Sequence, residues 1–181
     1  MLRLMVPLGV EQWDEKKEEF IEPKTMTLQL EHSLLSLSKW ESKWCKPFLS
    51  QNDLTVEETL DYIKCMTVTP NTSEEVYGYL TKDNIDEILN YIHAPMTATV
   101  VREVKTSKIN NETVTAELIY HWMIELQIPF ECQKWHLNRL ITLIKVRNIK
   151  LSPPKKMSKA DIMRRNAALN AARKKRLGSK G

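Results

Sequence analysis

Over the first thirty residues the apolar positions follow the short period of strands. Residues 2–6 are apolar, residues 10–13 and 19–22 flank a charged turn at 14–17, and residues 24–30 alternate, with Met26, Leu28 and Leu30 on one face. The pattern predicts a small N-terminal antiparallel β-meander over residues 1–30. From residue 31 the period lengthens to that of helices, so the fold class is α+β, with the meander packed on a mostly helical body. Leu34, Leu37, Trp40 and Trp44 mark a helix over 31–44 whose stripe meets the sheet and which Pro47 ends. Thr55 with Glu58 reads as a capping box ahead of Leu60, Ile63 and Met66, on a helix that stops before Pro70. A helical turn near 73–80 leads to Thr81, which caps a helix to His93 with Ile85, Ile88, Leu89 and Ile92 as its buried face, stopped by Pro95.

Thr97, Thr99, Val100, Val101 and Val104 form a β-branched run over 96–105 which, with the polar turn 107–111, predicts a β-excursion or mobile hairpin with an exposed tip. Thr115 begins an apolar helix over 116–126, and Pro129 opens a second that runs through Trp135, Leu137, Leu140, Ile141, Leu143, Ile144 and Val146. Apolar nearly all round, these two are expected at the centre of the core. Ser152, Pro153 and Pro154 then break the pattern and mark a hinge, because successive prolines lack donors and favour extended backbone. Beyond them Ser158 with Asp161 resembles a capping box, the run to Leu177 is rich in Ala, Arg and Lys, and Gly178 suits the position just past a helix. The organisation is therefore a body over 1–151 and a Pro-hinged helical arm over 152–181. The arm's apolar face is thin, with Ile162, Leu169 and Ala172 on one line and Met163 and Ala167 beside it. A helix of this kind is marginal alone and is expected to order on a partner.

Charge sharpens the picture of the arm. The chain totals +4, but residues 155–181 hold ten cations against Asp161 alone, which puts +9 on the arm and leaves −5 on the first 154 residues. An acidic body with a basic arm points to an arm that meets an anionic surface. Elsewhere composition is that of a globular chain, 42% hydrophobic and 28% charged. No apolar run approaches the roughly 18 residues that span a bilayer, and the N-terminus does not read as a signal peptide, so no membrane partner and a cytoplasmic location are expected. Cys45, Cys65 and Cys132, odd in number and widely spaced, suit reduced thiols.

Candidate chemistry is sparse. The four glycines, Gly9, Gly78, Gly178 and Gly181, build neither a dinucleotide turn nor a P-loop. Cys132 and His136, four apart, are the one tempting pair of metal ligands, with His121 as a third. The plainer reading is a thiol packed as a small hydrophobe and histidines bonded locally. As a nucleophile pair they lack an orienting group and an oxyanion site. Asp14, Glu15, Glu18 and Glu19, interleaved with Lys16 and Lys17, mark a solvated turn. Trp40 and Trp44 could form a partner-binding stripe, although their spacing with Leu34 and Leu37 favours the core. No catalytic, cofactor-binding or metal residue is assigned, no cofactor is expected, and the chain reads as a binding protein, not an enzyme. Nucleic acid is disfavoured as a partner because the arm holds no aromatic residue for base stacking.

Four phrases carry a resemblance: LEHSLLSLSKWESKWCKPFL at 30–49, YIHAPMTAT at 91–99, AELIYHWMIELQIPFECQKWHLNRLITLIKV at 116–146 and RNAALNAARKKRLGSKG at 165–181. In this order they resemble the tail assembly chaperones, a family of tail-morphogenesis proteins of long-tailed bacteriophages (siphoviruses), over nearly the whole chain. The resemblance implies a host-cytoplasmic protein that binds the tape-measure protein non-covalently, keeps it soluble and helps tail-tube subunits polymerise around it. It supplies no catalytic residues. In the arm, Ile162, Met163, Arg164, Arg165, Leu169, Arg173 and Arg176 are the candidate contacts, with Trp40 and Trp44 as candidates in the body. The alternative is a structural virion protein, a tail or neck subunit whose arm docks on neighbouring subunits, and self-association is left open. A small nucleic-acid-binding regulator is a third reading.

Overall fold

The computed structural model describes residues 1–9, 12–14, 19–21, 23–51, 53–101, 113–151 and 158–178. The chain divides into two compact units, Met1–Ile149 and Lys150–Gly181. The class is α+β, with a small antiparallel β-region followed by helices.

Strand β1 (Leu2–Leu8) pairs antiparallel with β4 (Lys24–Leu30), Leu2 opposite Leu30 and Leu8 opposite Lys24. Between them β2 (Gln12–Asp14) pairs with β3 (Glu19–Ile21). The strands are thus nested, and the expected meander, in which β1 would pair with β2, is corrected to two two-stranded ladders. Residues 9–11 separate β1 from β2, whereas only 22–23 separate β3 from β4, so the register slips by one between the ladders. Gly9 sits at that slip with φ +128°, a backbone state that side chains disfavour. Along the long ladder Leu4, Val6, Leu28 and Leu30 are buried on one face while Met5 is exposed on the other. The outer edge of β4 is also occupied: Val68 N–H donates to the Gln29 carbonyl at 2.8 Å and Glu31 N–H to the Met66 carbonyl at 2.8 Å.

Helix α1 (Leu34–Trp44) starts at Leu34, three residues later than its apolar spacing suggested, because Ser33 caps it and forms a reciprocal capping box with Ser36. It stops at Cys45, which takes a left-handed conformation at φ +52°, before Pro47 acts. Helix α2 (Val56–Met66) begins with the Thr55–Glu58 box, both of whose bonds form. A 3-10 segment (Glu74–Tyr79) precedes α3 (Lys82–His93), whose box uses Thr81 and Asn84. Residues 96–101 form no strand, which corrects the expected β-excursion there. Its remainder at 102–112, the turn residues 15–18 and the hinge at 152–154 lie outside the described residues.

Helix α4 (Ala116–Glu125) follows Thr115 as expected. The helix expected to run unbroken from Pro129 is instead a 3-10 segment (Phe130–Lys134) followed by α5 (Leu137–Leu151). The break has a tertiary cause. His136 makes a β-bridge to Ser33, and Leu137 N–H donates to the His32 carbonyl at 2.9 Å, so the backbone leaves the helix to bond the start of α1.

The core forms two clusters that share α1. Trp40 packs with Leu4, Val6, Leu28, Tyr62 and Ile88, whereas Leu34 and Leu37 pack with Ile119, Met123, Leu137 and Leu140. Helices α4 and α5 therefore make one of two clusters, not a single centre, and Ile124 and Phe130 are left exposed. Glu41 joins the parts: its buried carboxylate accepts from Phe48 N–H at 2.9 Å and from Ala116 N–H, at the start of α4, at 2.7 Å. Burial pushes the Glu41 pKa up, against the pull of those two donors. No described helix is long and apolar enough to cross a membrane.

In the second unit α6 (Lys159–Leu177) buries none of its residues. Ser158 accepts from Asp161 N–H at 3.1 Å and donates its hydroxyl to the Asp161 carboxylate at 2.7 Å, half of the expected box, and Gly178 closes the helix in a left-handed conformation. The helix stands on local chemistry: alanine, arginine and lysine favour it, Asp161 lies at its positive end, and Lys174, Lys175 and Arg176 lie at its negative end.

Candidate functional site: an apolar groove and an exposed basic helix

Two amphipathic helices create the groove. The capping boxes at Thr55 and Thr81 fix where α2 and α3 begin, and so which of their residues face each other. Helix α3 packs on β1, where the Asn84 amide donates to the Met5 carbonyl at 3.2 Å and Ile88 enters the core. At its far end the Asn138 amide of α5 donates to the Ile92 and Ala94 carbonyls, both at 2.9 Å. Held this way, α3 leaves a groove of about 310 Å³ lined by Leu54, Tyr62, Ile63, Ile85, Leu89 and Ile92. Spacing assigned Leu89 to a buried face; instead it is 40% exposed at the groove, and Ile85 and Ile92 are half-buried.

The arm candidates all lie on α6 and all are exposed. Ile162 is 39% and Leu169 48% exposed, and Met163 reaches 73%; Arg164, Arg165, Arg173 and Arg176 are exposed as well. At about 100° per residue, Ile162, Leu169, Arg173 and Arg176 share one side, while Arg164 lies toward the other with Lys174 and Lys175.

Trp40 and Trp44 do not belong to an open surface together. Trp40 is fully buried, its indole N–H donating to the Glu58 carbonyl at 2.9 Å and its ring meeting Phe48 and Tyr62 edge-on. This corrects Trp40 as a partner-binding residue. Trp44 is half-buried, stacks on Trp40 and donates to Asp61 Oδ2 at 2.9 Å, with the ammonium groups of Lys43 and Lys46 5.8 and 5.7 Å from its ring. Lys43 pairs with Asp61 and Lys46 with Glu58. Desolvation works against the Asp61 carboxylate, yet Lys43 and Trp44 hold its pKa below the ordinary value.

Cys132, His136 and His121 are not brought into one site. Cys132 lies in the 3-10 segment and His136 in the break before α5, whereas His121 is exposed on α4, 3.6 Å from Glu125. Burial pushes the Cys132 thiol up, the reverse of an activated nucleophile. His136 Nε2 bonds the Tyr91 carbonyl at 2.9 Å, and its Nδ1 is buried without a partner among the described residues. Its ring lies 5.0 Å from that of His32, whose Nδ1 bonds the Tyr62 hydroxyl at 2.6 Å. Burial, then the neighbouring His136, pushes His32 down to about 3, so this imidazole is neutral. The His32–Tyr62 pair and Glu41 escaped sequence reasoning because their partners are distant in the chain. Among the described residues no group of three His, Cys, Asp or Glu side chains is placed to hold a metal ion. Compared with known proteins, the chain matches no family model, no curated protein and no solved structure.

Proposed function

We propose that the protein is a tail assembly chaperone of a long-tailed bacteriophage, acting in the host cytoplasm by holding the tape-measure protein non-covalently while tail-tube subunits assemble. The observation that carries this reading is the groove between α2 and α3. It is apolar, open, and formed by two helices that are fixed elsewhere, which suits the recognition of a helical client through apolar anchors. A tape-measure protein is a long helix with apolar surface, and the resemblance along the chain names it as the client. The arm supplies a second contact, along Ile162, Leu169, Arg173 and Arg176.

Co-expression with the tape-measure protein tests both contacts. Leu89→Arg puts a charge into the groove at a position already 40% exposed, so the body stays folded while co-purification drops at least tenfold. Full co-purification by this variant, with a native circular dichroism spectrum, overturns the reading. Removal of residues 155–181 is expected to leave a folded body and to weaken co-purification; undiminished recovery removes the arm from the client contact.

A further inference from the structure

Helix α6 carries more positive charge, and on more sides, than a protein contact uses. Seven cations, Lys159, Arg164, Arg165, Arg173, Lys174, Lys175 and Arg176, stand against Asp161, and every described side chain of the helix is exposed. A client lying along Ile162 and Leu169 meets Arg173 and Arg176. It leaves Arg164, Lys174 and Lys175 on the far side, beside Ala160, Ala167 and Ala171. A membrane surface would likewise ask for one apolar and one basic side, and α6 has no such division.

We propose that α6 lies in the major groove of B-form DNA, as an activity additional to client binding. The groove is about 12 Å wide and about 8.5 Å deep, and a helix with side chains is about 10–12 Å across, so the two fit. Inside it a helix faces phosphates on both walls, so cations on opposite sides are engaged at once. The alanines keep the far side of the helix slim enough for close approach. The caps at Ser158 and Gly178 satisfy backbone groups at both ends of the helix, so less of the cost of ordering it falls on binding. The absence of aromatic residues argues against single strands, which are held by base stacking, and leaves duplex binding untouched. The deep, narrow major groove of A-form RNA would exclude the helix.

The experiment uses the full chain and a labelled 24-base-pair DNA duplex of arbitrary sequence, read by fluorescence anisotropy between 50 and 200 mM salt, with the single strand and the RNA duplex as comparisons. Engagement of about five or six phosphates predicts a loss of about 10³-fold in affinity over that range, since log affinity falls by about 0.9 per phosphate for each decade of salt. Two triple variants divide the helix, Lys159→Gln with Arg173→Gln and Arg176→Gln on one side, and Arg164→Gln with Lys174→Gln and Lys175→Gln on the other. Glutamine keeps helix propensity, and none of these side chains is buried. Each triple is expected to weaken duplex binding at least tenfold at 100 mM salt and to lower the salt slope by about 2–3. No duplex binding at 50 mM salt overturns the proposal. Equal affinity for single-stranded DNA or duplex RNA overturns the groove, and sensitivity to one triple alone overturns it in favour of a one-sided protein contact.

Discussion

Replacing Trp40 with alanine is expected to cost the body about 3–5 kcal/mol, the range for truncating a fully buried tryptophan. The ring fills the space between β1, β4 and α2 and touches Trp44, Phe48 and Tyr62, so its loss leaves a cavity walled by rigid aromatic groups that collapse poorly. It also removes the indole donor to the Glu58 carbonyl, next to the bond that Lys46 makes with the Glu58 side chain. Trp40→Phe separates the two contributions, since it keeps most of the apolar volume and loses the hydrogen bond, for about 1–2 kcal/mol. Urea unfolding followed by far-ultraviolet circular dichroism measures both, and the alanine variant should melt on the order of 10 °C lower. Because α1 serves both clusters, the transition should remain single. An alanine variant within 1 kcal/mol of the parent would mean that Trp40 does not anchor the core.

The helix starts were the most legible part of the fold because capping is local chemistry. Thr55 and Glu58, Thr81, Thr115 and Ser158 each announce a helix within four residues, and each holds the bond expected of it. Gly178 closes α6 for the same kind of reason. Pairing between distant segments was not legible. An alternating pattern says which face of a strand is buried and nothing about its neighbour, so β1 could be matched to β4 only in three dimensions. The break before α5 is invisible locally, since residues 130–146 are good helix material, and it exists because the His32 carbonyl takes the Leu137 N–H. The arm stood out by its proline break, its caps and its charge, all of them local features of the sequence. The groove was illegible for a different reason: Leu89 has the spacing of a core residue, and only the placement of α3 on β1 leaves it uncovered.

The buried imidazoles should make the body sensitive to mild acid. His32 has a folded-state value of about 3 against 6.5 for an unhindered histidine, and His136, 5.0 Å away, is also lowered by burial. The unfolded chain therefore takes up protons that the folded chain refuses, and stability is unaffected above pH 6.5 but falls as pH drops from 6.5 toward 3. For His32 alone the loss between pH 7 and pH 5 is about 2 kcal/mol. The carboxylates enter lower down: Asp61 and Glu58, both held below their ordinary values, lose stabilisation only as pH falls through the acid range, and Glu41, raised by burial, works in the opposite sense. The loss of stability between pH 6.5 and 5 thus comes from the histidines. His32→Asn places an amide where Nδ1 meets the Tyr62 hydroxyl and carries no titrating group, so it is expected to lower stability at pH 7 yet to flatten the slope between pH 7 and 5 by at least half. Urea midpoints at half-unit steps of pH read this directly. Parallel slopes in the parent and the variant would show that protonation at His32 is not what destabilises the folded chain, whereas a flattened slope with His136 intact would place the larger share of the acid sensitivity at the His32–Tyr62 contact.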